Sequence, residues 1–442
     1  MQRSTRIFRL SLLILATALL TLLSSCTPVA PASAPAEEGA ASSESGAVTL
    51  RLASYGLGDA WNAQLQETVD GFTAANPDIA VEIEFRPIDA YWDKLQTEFA
   101  ANTAPDVTIN QMDWVIPGAA RGMFVDLMPF IEQDQVDMDA YFYDMTPEWG
   151  WQGGLYGGLL YAGGQALYVN KDLLAAAGLE MPSADWTWDD MLSYAQALTN
   201  ADADQWGIYI SPVNPPYWGA SFIHGTGGTV LNDAKDQCTL TSPEAQAGLQ
   251  YIADLIFDYK VMPAPVTLEG QANPFVTGKV GLYFGGTWQE GEIRSAGFDW
   301  DFAPMPANPD TGIRSVQMGS NAWSILSTSA HPNEAWQLVQ YLMGEGGQRG
   351  MMSNGVPGLT SVVESAEYRE LHQPQDITVV TNDFANYGHD YYPTPDTGEW
   401  WGAVGQELSA IWSGEATVAE ATERACTAVD EIFARRPAEW GQ

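Results

Sequence analysis

Basic residues and histidine are scarce in this chain. Eighteen Lys and Arg stand against 56 Asp and Glu in 442 residues. So large an acid excess repels nucleic acid and anionic lipid headgroups, which excludes both as partners. The four histidines, His224, His331, His372 and His389, show no paired ligand spacing, so zinc or histidine-based catalysis has no basis in the sequence. The serine elbow G-x-S-x-G, the Walker phosphate loop and H-E-x-x-H are absent as well. Nothing calls for a cofactor or a metal ion. With 56 acids, pairs such as Glu82/Glu84 or Asp189/Asp190 arise by chance, and solvated surface explains them better than a glycosidase dyad does.

Cysteine is equally rare: Cys26, Cys238 and Cys426. The first closes an N-terminal pattern. Arg3, Arg6 and Arg9 precede an apolar run from Leu10 to Leu23, which reads as a secretory signal. The run stops at Leu23-Ser-Ser-Cys26, similar to a bacterial lipobox in which the cysteine thiol takes a diacylglyceryl group. The competing reading is an uncleaved anchor helix, since the run is not far below the ~17 residues that span a bilayer. Either way the protein sits outside the cytoplasm, held to a membrane only by its anchor. Residues 26–47 are small, acidic or proline and cannot bury enough apolar surface to fold, so they form a tether. Removing residues 1–25 takes away three arginines and leaves 15 basic against 56 acidic residues, a net charge of −41. No later stretch is apolar enough to span a bilayer. Cys238 and Cys426 fit either a disulfide or two buried, unpaired thiols.

The chain from residue 48 onward is too long for one average domain and predicts two. Val48-Thr-Leu-Arg-Leu52 alternates as a strand does. Trp61, Leu65, Val69 and Phe72 recur at helical spacing until Asn76-Pro77. Val81, Ile83 and Phe85 form a second strand, Tyr91, Leu95 and Phe99 a second helix, and Pro105 to Ile109 a third strand. This β-α-β-α-β order implies a parallel sheet covered by helices. Further on, Leu167 to Val169 reads as a strand and Lys171 to Ala177 as a helix closed by Gly178. Thr187 to Asp190 resembles a capping box, and Ser242-Pro243 sets an N-cap before a first-turn proline. Val280 to Phe284 is a strand, and His331-Pro332 opens a long helix.

Gly56-Leu-Gly58-Asp-Ala-Trp61 follows a strand and opens a helix, but Trp61 occupies the third glycine's place in the dinucleotide fingerprint. The segment is better read as a tight turn at the carboxyl end of a strand, where open α/β sheets bind ligands. Aromatic residues are plentiful, with 17 Trp and 18 Tyr, many beside glycine or proline in loops. Asp113-Trp114, Pro216-Tyr217-Trp218, Gly286-Thr-Trp288 and Gly398-Glu-Trp400-Trp401 are examples. Indole faces pack on the C–H faces of pyranose rings, while amides and carboxylates meet the hydroxyls, a common make-up for a small-molecule cleft.

Several segments resemble the bacterial extracellular solute-binding family 1, the sugar-binding proteins related to maltose-binding protein. They are Phe72 to Val81, Leu95 to Val107, Gly122 to Leu127 and Ala166 to Leu174 with Gly178-Leu and Trp188. Phe275 to Val280 with Gly286-Thr-Trp288, and His331 to Trp336, complete the set in family order. The resemblance implies a type II periplasmic-binding-protein-like α/β fold, two lobes joined by a three-segment hinge with a ligand cleft between them. Its crossings are expected near Gln165, Val316 and Ser365, giving a first lobe of 48–164 plus 317–365 and a second of 165–316 plus 366–442. It also implies a monomer that hands a carbohydrate to the permease subunits of an ABC importer, and no enzyme.

Cleft residues implied by the resemblance are Gly58, Asp59 and Trp61 after the first strand and Asn110, Gln111 and Asp113 after the third. It adds Gly319, Ser320 and Asn321 at the second crossing, Trp288 as the stacking tryptophan, and Trp401 or its neighbour Trp400. Tyr217 and Trp218 join from composition alone. The hinge reads Ala162-Gly-Gly-Gln165, where the family often has a proline. Both remaining cysteines fall in the expected second lobe, so a Cys238–Cys426 bond is open to them. The alternatives are the same receptor role for a glycerol phosphodiester, organic acid or peptide, and a secreted glycosidase; the aligned loops hold no Arg/Lys cluster for a phosphate.

Overall fold

The computed structural model describes residues 48–440 apart from 143, 145, 211–214, 269, 270 and 391, and only the backbone of 146, 147, 215–218 and 266. Residues 1–47, including Cys26, lie outside the described residues. The alternating N-terminal segment forms β1 (Val48–Tyr55), parallel to β2 (Ile79–Arg86) and to β3 (Val107–Gln111). A hairpin of β4 (Gly150–Trp151) and β5 (Gly154–Leu155) leads into β6 (Gly158–Tyr161). A second sheet then forms from β7 (Gln165–Asn170), β8 (Trp206–Ile210), β9 (Val280–Gly286) and β10 (Trp300–Ala303), in the order β10-β7-β9-β8. The chain returns through β11 (Val316–Gln317) and inserts β12 (Asn321–Ile325) into the first sheet, whose order is β2-β1-β3-β12-β6. Finally β13 (Gly388–His389) pairs in parallel with β11.

The parallel sheet expected from the sequence is therefore only part of the first sheet. β2, β1 and β3 are parallel, whereas β12 runs antiparallel to both β3 and β6. Local periodicity cannot reveal this, because β12 arrives after the chain has entered the second sheet and come back.

Helices cover each sheet on the faces that the apolar spacing dictates. In the helix Asp59–Ala75 the buried side chains Trp61, Leu65, Val69 and Phe72 recur every three or four residues. The helix Trp188–Leu198 begins with a capping box between Thr187 and Asp190, and Ser242 caps Pro243–Phe257 by accepting from the Ala245 N–H at 3.2 Å. One core gathers Leu52, Phe72, Ile109, Trp323 and Leu338 around the first sheet. The other gathers Tyr168, Leu249, Leu282, Leu408 and Val429 around the second. Each fully buried aliphatic side chain contributes about 1.5–3 kcal/mol through removal from water. The result is a two-lobed α/β fold.

Between the sheets runs a narrow ribbon of chain. Gly164 bridges to Met318, Ala162 to Val356, and Gln317 pairs with His389. Gly163 and Gly319 approach so closely that a Cβ on Gly163 would sit 2.5 Å from the Gly319 carbonyl oxygen. Buried side chains hold the ribbon: Ser221 Oγ donates to Gln165 and accepts from the Gln317 N–H, and Gln348 Nε2 donates to the carbonyls of Leu159 and Leu160. Cys238 and Cys426 are joined by a disulfide within the second core. Among the described residues no helix is long and apolar enough to cross a membrane.

Candidate functional site

The ends of β1, β3 and β6 and the start of β12 meet on one edge of the first sheet, where Asn321 lies opposite both Gln111 and Tyr161. Tyr55, at the end of β1, donates its hydroxyl to Asn321 Oδ1. The turn beyond β1 needs Gly58, whose φ of +103° most side chains avoid, and it starts the helix carrying Trp61. The Trp61 ring stacks on Tyr55 at 6.0 Å and meets Tyr161 edge-on at 6.3 Å. Asp59 is exposed, and Gln111 is half-buried. Asn110 is fully buried, and neither atom of its amide has a hydrogen-bond partner among the described residues. Burial raises the Asp113 carboxyl to about 6, against the opposing pull of its own backbone N–H.

The second sheet supplies the facing wall. Gly285 and Gly286 end β9, and Trp288 follows in a short turn, Thr287–Gln289. Its ring lies over Gly286, where a Cβ would come within 2.4 Å of the indole, so the glycine lets the ring lie on the backbone. Trp288 is 45% exposed, unlike nearly every other tryptophan here. Trp61 and Tyr161 from one lobe, and Thr287, Trp288 and Tyr368 from the other, enclose a cavity of about 300 Å³. A pocket of that size with aromatic walls has the make-up of a small-molecule site.

A family model described as bacterial extracellular solute-binding protein matches residues 67–374. This chain belongs to that family. The solute-binding protein shares its fold with an ABC substrate-binding protein of Listeria monocytogenes solved in complex with cycloalternan. That likeness has a TM-score of 0.78 at 24% identity and covers 88% of this chain and 100% of the other. The sugar-binding protein MalE of Xanthomonas citri superposes with a TM-score of 0.77 at 22% identity, covering 88% and 98%. A maltotriose-binding protein of Pyrococcus abyssi is 24% identical over 241 residues, 54% of this chain and 50% of that protein.

The other residues that the sequence pointed to are spread over the solute-binding protein. The Gly319 N–H donates to the Gly163 carbonyl at 2.8 Å inside the ribbon, and Ser320 Oγ donates to Glu148. Trp400 is fully enclosed in the second core, with its indole N–H donated to Thr394 Oγ1 at 2.8 Å, and Trp401 packs edge-on beside it at 5% exposure. Both follow the helical spacing of Thr397–Trp412 into the core, an ordinary fate for tryptophan that adjacency in sequence does not reveal. Tyr217 and Trp218 begin the helix Pro215–Gly225, and their side chains lie outside the described residues.

Sequence reading missed a second cavity, of about 310 Å³, bounded by Glu148, Met318, Phe384, His389 and Asp390. Glu148 is 3% exposed, and burial lifts its carboxyl to about 7, with the Ser320 hydroxyl opposing and Asp390 adding to the rise. His224 and His389, scattered in sequence, stand with ring centroids 3.7 Å apart. Burial lowers His224 to about 4 and His389 well below the usual imidazole value, so both rings are neutral at neutral pH. No group of three or more metal-ligating side chains occurs among the described residues. Glu148 had no signal in the sequence, since one acid among 56 is indistinguishable before its burial is known.

Proposed function

We propose that this solute-binding protein is the extracytoplasmic, lipid-anchored receptor of an ABC importer and that it captures a mono- or oligosaccharide by closing its lobes. The observation that carries this reading is the cavity whose walls are Trp61 and Tyr161 on one side and the half-exposed Trp288 on the other. Flat indole and phenol faces suit the C–H faces of a sugar ring, and the walls of the cavity contain no Lys or Arg among the described residues, which disfavours a phosphodiester or organic acid. The Listeria protein solved with cycloalternan and the Pyrococcus maltotriose-binding protein support the ligand class. The expected lobes are 48–164 with 317–365 and 165–316 with 366–442, and a bound solute drives closure through its differential affinity for the closed state. A leader ending before Cys26, a monomeric receptor and permease subunits as its membrane partner belong to the same reading, and no catalysis is assigned.

Replacing Trp288 with Ala tests it. Truncating an interface aromatic of this kind costs at least ~2 kcal/mol, roughly thirtyfold in affinity. The half-exposed ring contributes little to the core, so the ligand-free melting temperature should hardly move. Calorimetric titration with neutral oligosaccharides showing unchanged affinity beside a large fall in melting temperature would make Trp288 a packing residue and remove the main support.

A further inference from the structure

The last helix, Val418–Phe433, buries Ala421, Ala425, Val429 and Ile432 in the second core. The residues after it cross to the first lobe. Arg436 pins this tail at its root, donating from Nε and Nη2 to the two carboxylate oxygens of buried Asp396 at 2.8 Å each. Its Nη1 donates to the Lys235 carbonyl at 2.9 Å. A single 3-10 turn, Ala438–Trp440, then meets two segments that belong to the first core. Arg121 follows the helix Met112–Ala120, whose Val115 lies in that core, and Gln152 tips the β4–β5 hairpin between Trp149 and Leu155. Gln152 Nε2 donates to the Glu439 carbonyl at 2.8 Å, and the Arg121 guanidinium stands 5.1 Å from the centre of the Trp440 ring. Arg121 also donates to its own Pro117 carbonyl at 2.7 Å and to the Pro395 carbonyl, beside Asp396, at 3.0 Å.

Two features set these contacts apart from incidental surface touching. The hairpin turn has φ of +47° at Gln152 and +85° at Gly153, a two-residue turn in which asparagine or aspartate usually precedes the glycine. Glutamine is a costlier choice there, and its longer side chain is the one that reaches the tail. Arg121, in a chain with 56 acids, has no carboxylate partner among the described residues and spends its donors on two carbonyls and an indole face. We propose that residues 434–440 are a latch that joins the lobes at a second place besides the ribbon and favours the arrangement in which the Trp61 and Trp288 walls face each other. Contacts made in one arrangement only shift the lobe equilibrium toward it, and a solute that binds that arrangement gains in apparent affinity by the same factor. The gain in affinity rests on the receptor reading above, whereas the latch itself does not.

Wild type, Gln152→Ala, Trp440→Ala and Arg121→Gln are compared first without solute, by hydrogen–deuterium exchange. They are then titrated calorimetrically with maltose, maltotriose, cellobiose and trehalose. Arg121 and Gln152 are exposed, so each single variant should lose about two- to fivefold in affinity for the sugar that wild type binds. Trp440→Ala combined with Arg121→Gln should lose less than the product of the two single losses, because both remove one contact. Solute-free exchange should quicken in the helices Met112–Ala120 and Thr397–Trp412, which pack against each other across the lobes, and added sugar should slow it again. Unchanged affinity and exchange would overturn the latch, and so would tighter binding by the variants, which would mean that the tail holds the lobes apart. A wild-type protein that binds none of these sugars would overturn the receptor reading, and the exchange measurement, which needs no solute, then decides the latch alone.

Discussion

Glu148→Gln should make the protein more stable at mildly alkaline pH and leave it unchanged near the ordinary carboxylate range. The Glu148 carboxyl is 3% exposed and titrates at about 7, against an ordinary value of 4.5. Between those two values the folded state holds a proton that the unfolded chain has released, so wild-type stability falls as pH rises through the window. Above about pH 7 the full penalty applies, about 3 kcal/mol at 1.36 kcal/mol for each unit of separation. Glutamine carries no charge and can still accept from Ser320 Oγ, so the variant avoids this loss. For a chain of about 400 residues unfolding together, the gain corresponds to about 3–4 °C in melting temperature. Melting both proteins from about pH 4.5 to 8 isolates the effect, because carboxylates remote from Glu148 contribute equally to both curves. A difference that stays constant across that range, or a variant less stable at the alkaline end, would refute the assignment of a buried, charge-averse carboxyl.

Three further outcomes are expected. Replacing Cys238 and Cys426 together with Ser opens a bridge spanning 188 residues, and the loop-closure relation places the loss at about 5 kcal/mol at most, with 2–5 usual; denaturant titration reads it, and sugar affinity should stay unchanged. Gly163→Ala drives a Cβ to 2.5 Å from the Gly319 carbonyl, so it should lower stability by about 1–3 kcal/mol and weaken ligand binding together, measured by melting and calorimetry. Cys26→Ala should abolish radiolabelled palmitate incorporation in the native host, and equal labelling would remove the anchor from the reading.

Much of the secondary structure was legible because local rules govern it. Trp61, Leu65, Val69 and Phe72 announce a helix, and Asn76-Pro77 its end, before any tertiary contact is known. The Thr187 and Ser242 caps are equally local, since each satisfies backbone groups within three residues. The sheet order was not legible, because β12 pairs with β3 and β6 from more than 150 residues downstream. The site divided along the same line. Trp61 and Trp288 follow strand ends, a position that periodicity reveals. Glu148 stands out through its burial, which exists only once distant segments have met. Trp400 shows the converse, since it stands beside glycine and acid as a cleft residue might be expected to and is wholly core.

The placement of β12 also governs the order in which the molecule can be completed. Ribosomes deliver residues 48–161 long before 321–325, yet β3 and β6 need β12 between them to satisfy their backbone groups. Until Ile325 has emerged, the N-terminal half is left with two unpaired strand edges and a core lacking Trp323, a residue with no exposed surface in the finished protein. The interleaved connection thus makes completion of the first sheet depend on residues 321–325.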